Sequence, residues 1–220
     1  MPQPAPDVLP DLVRNDLTED QLQAYLSAPA IAVDTETMGL RHLRDRLCVV
    51  QLCDRSLRAT LVQIPRELLD PERPAQSRSP RLKRLLEAPH VLKVFHFARF
   101  DVASLRHYLG IAVDPLYCTR TASKLIRTYT DRHGLKDVAL ELLDVELNKA
   151  ARHTDWSSPD LRPEQVRYAI SDVTLLLPLM DRLDEMLARE DRLELARDCF
   201  RVIPLFARLD LMGYDLLFEH

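Results

Sequence analysis

The chain has 220 residues, 46% hydrophobic and 29% charged, an ordinary balance for one globular α/β domain with a core of its own. A formal net charge of −4 excludes a general duplex-coating protein, whose affinity rests on neutralising many phosphates; any nucleic acid must be held locally. No apolar run reaches the length of a membrane span, and MPQPAPDVLPDL lacks the basic start and apolar core of a signal peptide, so a cytoplasmic protein is expected.

The first predicted element follows a Pro-rich lead-in. LTEDQLQAYLSAP has an N-cap candidate at Thr18 and helical spacing of Leu17, Leu22, Tyr25 and Leu26, which predicts a short helix. Three strand candidates come next, AIAVD, RLCVVQLCD and RATLVQI, expected as an antiparallel run. DPERPAQSRSP, residues 70–80, reads as a surface loop. Helix RLKRLLEA, strand VLKVFHF, helix ARFDVASLRHYLG and short strand DPLYCT alternate after it, which predicts a mixed sheet with helices on both faces. Residues 163–200 read as nearly continuous helix opened by Pro163, and the tail CFRVIPLFARLDLMGYDLLFEH is apolar enough to pack on its own domain or to suit a subunit interface. Cys48, Cys53, Cys118 and Cys199 lack zinc-site spacing and read as reduced, buried thiols.

Three short motifs carry the acids of interest. Asp34 and Glu36 end the first of the three strands, and period two points both to one face, where like charges repel. Solvent, basic side chains or a bound cation would each relieve that repulsion, and Asp-x-Glu alone decides nothing. Asp101 lies in the first turn of a helix, where an acid commonly favours the helix dipole. Tyr168 and Asp172 stand four apart, on one face of a late helix, or are simply a surface pair. The stretch 119–137 is basic, with Arg120, Lys124, Arg127, Arg132, His133 and Lys136; it is either a solvated helix face or a phosphate surface.

The ordered set D-x-E, H-x-x-x-F-D and Y-x-x-x-D is more specific than any member. It resembles the DEDD superfamily of 3′-to-5′ exonucleases, in its tyrosine-bearing branch, and so implies a ribonuclease H-like fold. HLRDRLCVVQL, KVFHFARFDVASL, CTRTASKLIRTYTDRHGLKD, DWS after ARHT, and LFARLDLMGYD narrow the likeness. Together they resemble the nano-RNase C family, ribonuclease D-related exoribonucleases of alphaproteobacteria that cut very short RNA, dinucleotides above all. The likeness runs from about residue 29 to the C-terminus, so 1–28 is expected as an extension with a short helix and 29–220 as the exonuclease domain.

The resemblance implies that Asp34, Glu36, Asp101 and Asp172 hold two divalent cations, Mg²⁺ or Mn²⁺, which favour such oxygen-rich sites. Tyr168 is placed nearest the attacking water, and Leu40 is the candidate wedge between bases. Thr35 and His96 are further candidates for substrate contact, His96 alternatively steadying its strand end. Arg120, Lys124 and Arg132 are candidates to hold a 5′ end, within one subunit or across an interface of a closed, octameric ring. Trp156 is expected at the wall of the site, and Asp155 either caps a helix or lines the pocket.

Rival readings are ribonuclease D-like trimming of structured RNA, a DNA-directed proofreading exonuclease, and a non-catalytic scaffold. The first is expected to need further helical domains that 220 residues do not accommodate. Some DNA cleavage is compatible with the same chemistry. The full set of acids speaks against the scaffold.

Overall fold

The computed structural model describes residues 3–4, 8–70, 72, 74–147 and 154–218. Residues 151–153 of the expected ARHT motif, parts of the Pro-rich lead-in, two positions of the 70–80 loop and the last two residues lie outside that set.

The chain runs β1 (Gln3–Pro4), β2 (Asp11–Arg14), α1 (Glu19–Leu26), β3 (Ala30–Thr37), β4 (Leu47–Cys53), β5 (Ala59–Gln63), α2 (Pro80–Leu86), β6 (Leu92–Phe95), α3 (Ala98–Leu109) and β7 (Leu116–Cys118). It continues as α4 (Thr119–Ile126), α5 (Leu135–Leu143), β8 (Val145–Glu146), α6 (Pro163–Thr174), α7 (Leu176–Arg189) and α8 (Leu193–Leu211). The main sheet has the order β2-β5-β4-β3-β6-β7, and β1 pairs separately with β8. The expected antiparallel run is present as β3, β4 and β5, with β6 and β7 added in parallel beyond β3.

Every residue of β4 is buried, on both faces, as a central strand covered from two sides must be. Its sequence LCVVQLC is accordingly apolar throughout except for Gln51. Helices α6 and α7 pack on β3, and α3 also contacts β3 and β6. Thr35 and its neighbours in β3 alternate between these two layers, so one strand serves both.

Two features depart from the sequence reading. The lead-in supplies β2, an edge strand parallel to β5, so residues before 29 belong in part to the main sheet. Asp11–Arg14 has only four residues, mostly exposed, so it carries little of the apolar alternation by which a strand is recognised. The helix expected over 163–200 is three helices. Pro178 has no N–H to offer the carbonyl of Thr174, which ends α6 at that residue, and Asp191 adopts a left-handed φ of 54° in the turn before α8.

The N-terminal segment is also bound through polar contacts. Thr18 caps α1, its hydroxyl accepting from the Gln21 N–H while the Gln21 side chain accepts from the Thr18 N–H. Asp16 reaches across to α2, whose own Ser79 makes no side-chain cap, and accepts from the backbone of Arg81 at 2.9 Å and Leu82 at 2.8 Å. Among the described residues, no helix is long and apolar enough to cross a membrane. Removing the remote cap by Asp16→Ala is expected to cost about 1–2 kcal/mol in urea unfolding, with the slope unchanged.

Candidate active site

All four expected acids and Tyr168 line one cleft of about 610 Å³. Asp34 and Glu36 enter from the end of β3, Asp101 from the first turn of α3, and Tyr168 with Asp172 from α6. Three elements distant in sequence therefore meet at one strand end. A register shift between Glu36 and Thr37 ends the regular pairing of β3 with β4 just past the acids.

The electrostatics of the group are unfavourable as it stands. Burial raises Asp34 well above the usual carboxylate range, and the charges of Asp101, Glu36 and Asp172 push it further. Asp101 is buried, which lifts it to about 7 even though Thr35 opposes the shift by donating its hydroxyl to Oδ1 at 2.6 Å. Burial, then Asp172 and Glu36, raise the Tyr168 phenol above its ordinary range; its hydroxyl pairs with Asp172. That phenol is a poor base and a good orienting donor. Among the described residues, no three such ligands already sit around one point at the spacing a metal needs. The donor set is nevertheless chemically apt: four carboxylates in one cleft, three of them disfavouring the ionisation of Asp34, fit hard divalent cations.

The remaining candidates separate. Leu40 is 82% exposed and lines the cleft on the loop after β3. Gly39 permits that loop, because a Cβ there would lie 2.4 Å from Asp45 Oδ2. The Asp45 carboxylate in turn accepts from the Arg41 N–H at 3.0 Å and pairs with Arg44, which lowers Asp45 to about 2. Thr35 borders the cleft, but its hydroxyl is committed to Asp101, so it positions an acid. His96 lines the cleft with Nδ1 2.8 Å from the Thr119 hydroxyl. Thr119 gives its own proton to the Phe95 carbonyl, so Nδ1 is the protonated nitrogen in the neutral ring.

The basic stretch divides three ways. Arg120 lines the cleft, its guanidinium 4.7 Å from the centre of the Phe97 ring. Lys124 and Arg132 are exposed and stand outside the cleft lining of the single chain. Helix α4 ends at Ile126, and the turn after it carries Arg132 away before Gly134, Leu135 and Lys136 return to the wall. Arg127 is fully buried, bonding Glu141, the Ser123 hydroxyl and the Arg132 carbonyl; it holds the turn together.

Residues missed by sequence reasoning include Phe97 and Phe100, whereas Lys136 of the basic stretch does reach the cleft wall. Phe97 precedes α3 with a left-handed φ of 70° and is about half exposed, an uncommon combination for an aromatic residue. Its position within HFARFD was visible, but nothing in the pattern distinguishes it from a core phenylalanine. Trp156 lines the wall as expected, its ring 6.1 Å from that of Tyr168. Asp155 neither caps a helix nor lines the cleft; it accepts from Ser157 in a turn.

Residues 13–188 match the 3′-5′ exonuclease family. The chain belongs to that family. Its six-stranded sheet is the ribonuclease H-like fold of such domains. It is 41% identical to the solved structure of Brucella melitensis NrnC bound to pGG, with a TM-score of 0.87, over 97% of this chain and 100% of that one. A structure of the same nuclease with bound Mg²⁺ is 41% identical, with a TM-score of 0.85, over 96% of this chain and 98% of that one. Membership in the nano-RNase C family, suggested by its motifs, follows from these matches. Ribonuclease D of Sphingobium indicum is 33% identical over 82% of this chain, which spans only 45% of that relative.

With divalent cations chelated, stability is expected to fall as pH rises from 5 to 8. The sign follows from the raised Asp101 value: the folded state holds a proton that the unfolded state has already released above about pH 4. Urea unfolding should show a loss on the order of 2–4 kcal/mol across that window, and Asp101→Asn should reduce it, leaving the part due to Asp34.

Proposed function

We propose that this domain is a metal-dependent 3′-to-5′ exoribonuclease that hydrolyses very short RNA, dinucleotides above all, to nucleoside 5′-monophosphates. The observation that carries this reading is the convergence of Asp34, Glu36, Asp101, Asp172 and Tyr168 on one cleft. Its volume of about 610 Å³ suits a small ligand better than a long strand. The likeness to a nuclease bound to pGG and to the same nuclease with bound Mg²⁺ supports both the ligand class and the cation.

Asp34, Glu36, Asp101 and Asp172 would hold two ions, Mg²⁺ or Mn²⁺. When bound, the ions supply Lewis acidity that makes a water nucleophilic and steadies the departing oxygen. Tyr168, anchored by Asp172, orients that water toward the phosphorus. The water oxygen bonds to phosphorus as the bond to the penultimate 3′ oxygen breaks, and that oxygen leaves with a proton. Thr35 keeps Asp101 oriented through its hydroxyl. Leu40 and Phe97 present apolar and aromatic surface to the bases without reading their identity. Arg120 and Lys136 are cleft-lining cations that would meet phosphate.

Two further parts of the proposal rest on surface and composition. Exposed Leu205, Met212, Tyr214, Leu216, Leu217 and Phe218 support a homo-oligomer, read as an octameric ring from the family resemblance. Free Cys48, Cys53, Cys118 and Cys199 suit a cytoplasmic site of action.

Cleavage of 5′-labelled RNAs of two to seven nucleotides with Mn²⁺ or Mg²⁺ tests the proposal. Dimers should fall to monomers far faster than longer chains. Asp34→Ala with Glu36→Ala should abolish turnover, and Tyr168→Phe should reduce kcat by about 10²–10³-fold. Equal rates at all lengths would contradict the substrate assignment, and no cation-dependent cleavage would contradict the reaction.

A further inference from the structure

Gln51 is an anomaly in the centre of the sheet. It is the one polar side chain in β4, it is 0% exposed, and neither its amide nitrogen nor its amide oxygen has a hydrogen-bond partner. A buried primary amide with both ends unmatched is costly, and an apolar residue of similar size would serve the core better. Such a residue calls for a reason beyond packing.

Its register supplies one. Gln51 is the direct cross-strand partner of Asp34 in the antiparallel pair β3–β4, so the two side chains leave the sheet on the same face. Their Cβ atoms are then about 4.5–5.5 Å apart, close enough for a side-chain torsion to bring amide and carboxylate together. On the other edge of β4 its partner is Leu61, which offers no polar group. Gln51 is not part of the cleft lining, whereas Asp34 is, which places the amide behind the acid and away from substrate.

We infer that Gln51 is a positioning residue for Asp34, its amide N–H donating to the carboxylate when the four acids draw together around cations. This rests on the exonuclease reading above. The carboxylate has four lone-pair sites, so it can accept from Gln51 on one oxygen while the other faces an ion. Groups that orient a metal-binding carboxylate from behind typically alter metal affinity by about 10–100-fold when removed. An amide aimed at Asp34 in this way would be retained for its effect on the cation site rather than for packing.

Gln51→Met keeps the volume and removes the donor. Binding of Mn²⁺ alone, by calorimetric titration without RNA, should weaken by about 10-fold or more. The cation-free melting temperature should hold or rise, because an unmatched buried amide has gone. In diribonucleotide hydrolysis at saturating Mn²⁺, kcat should fall while KM stays within twofold. Gln51→Leu, measured in the same way, takes its place should the methionine variant not fold. Parent-like Mn²⁺ affinity and kcat in a folded variant would overturn the role of Gln51 while leaving the exonuclease reading intact. A parent chain that binds no Mn²⁺ would instead overturn that reading, and the inference with it.

Discussion

Repulsion among Asp34, Glu36, Asp101 and Asp172 is the constraint on which the rest of the molecule depends. Four carboxylates in one partly buried cleft cannot all ionise without a counter-charge: burial lifts Asp101 to about 7, and burial together with the charges of its three neighbours holds Asp34 well above its usual range. A fold selected only for stability would not assemble them. The sheet and helices provide the apolar burial that keeps the acids together.

The architecture meets this demand by using one strand end as the meeting point of two helical layers. β3 projects Asp34 and Glu36 to the face covered by α6, and turns Thr35 to Asp101 of α3. A hydrogen bond across the strand thus ties the acid of one layer to the backbone that carries the acids of the other. Around them the wall is built from segments fixed independently: the Gly39–Asp45 loop that presents Leu40, and the Arg127-centred turn that returns Lys136 to the cleft. Rigidity in these supports matters because catalytic groups act only within a narrow tolerance of position.

Much of this was legible in the sequence where a regular period or a direct i, i+4 relation applied. The strands AIAVD, RLCVVQLCD and RATLVQI, the placement of Asp101 in a first helical turn, and the pairing of Tyr168 with Asp172 all follow from such local rules. The strand β2 was hidden because it is short, mostly exposed and preceded by prolines; its existence depends on an edge of β5 that pairs only after folding. Charge pattern also failed to sort the basic stretch. Arg127 is buried and Arg132 is exposed, and both look alike in sequence, because burial depends on how the turn after α4 closes on Glu141. Gln51 reads as one polar interruption of an apolar strand, and only the register with Asp34 gives it meaning.

The most direct measurement is anomalous scattering from crystals of the protein grown or soaked with Mn²⁺. Two peaks about 3.5–4 Å apart are expected. Both should lie among Asp34, Glu36, Asp101 and Asp172, with oxygen ligands at roughly 2.0–2.3 Å. Mn²⁺ bound elsewhere, or no peak in the cleft at saturating Mn²⁺, would contradict the claim that divalent cations are what these four carboxylates are assembled to hold.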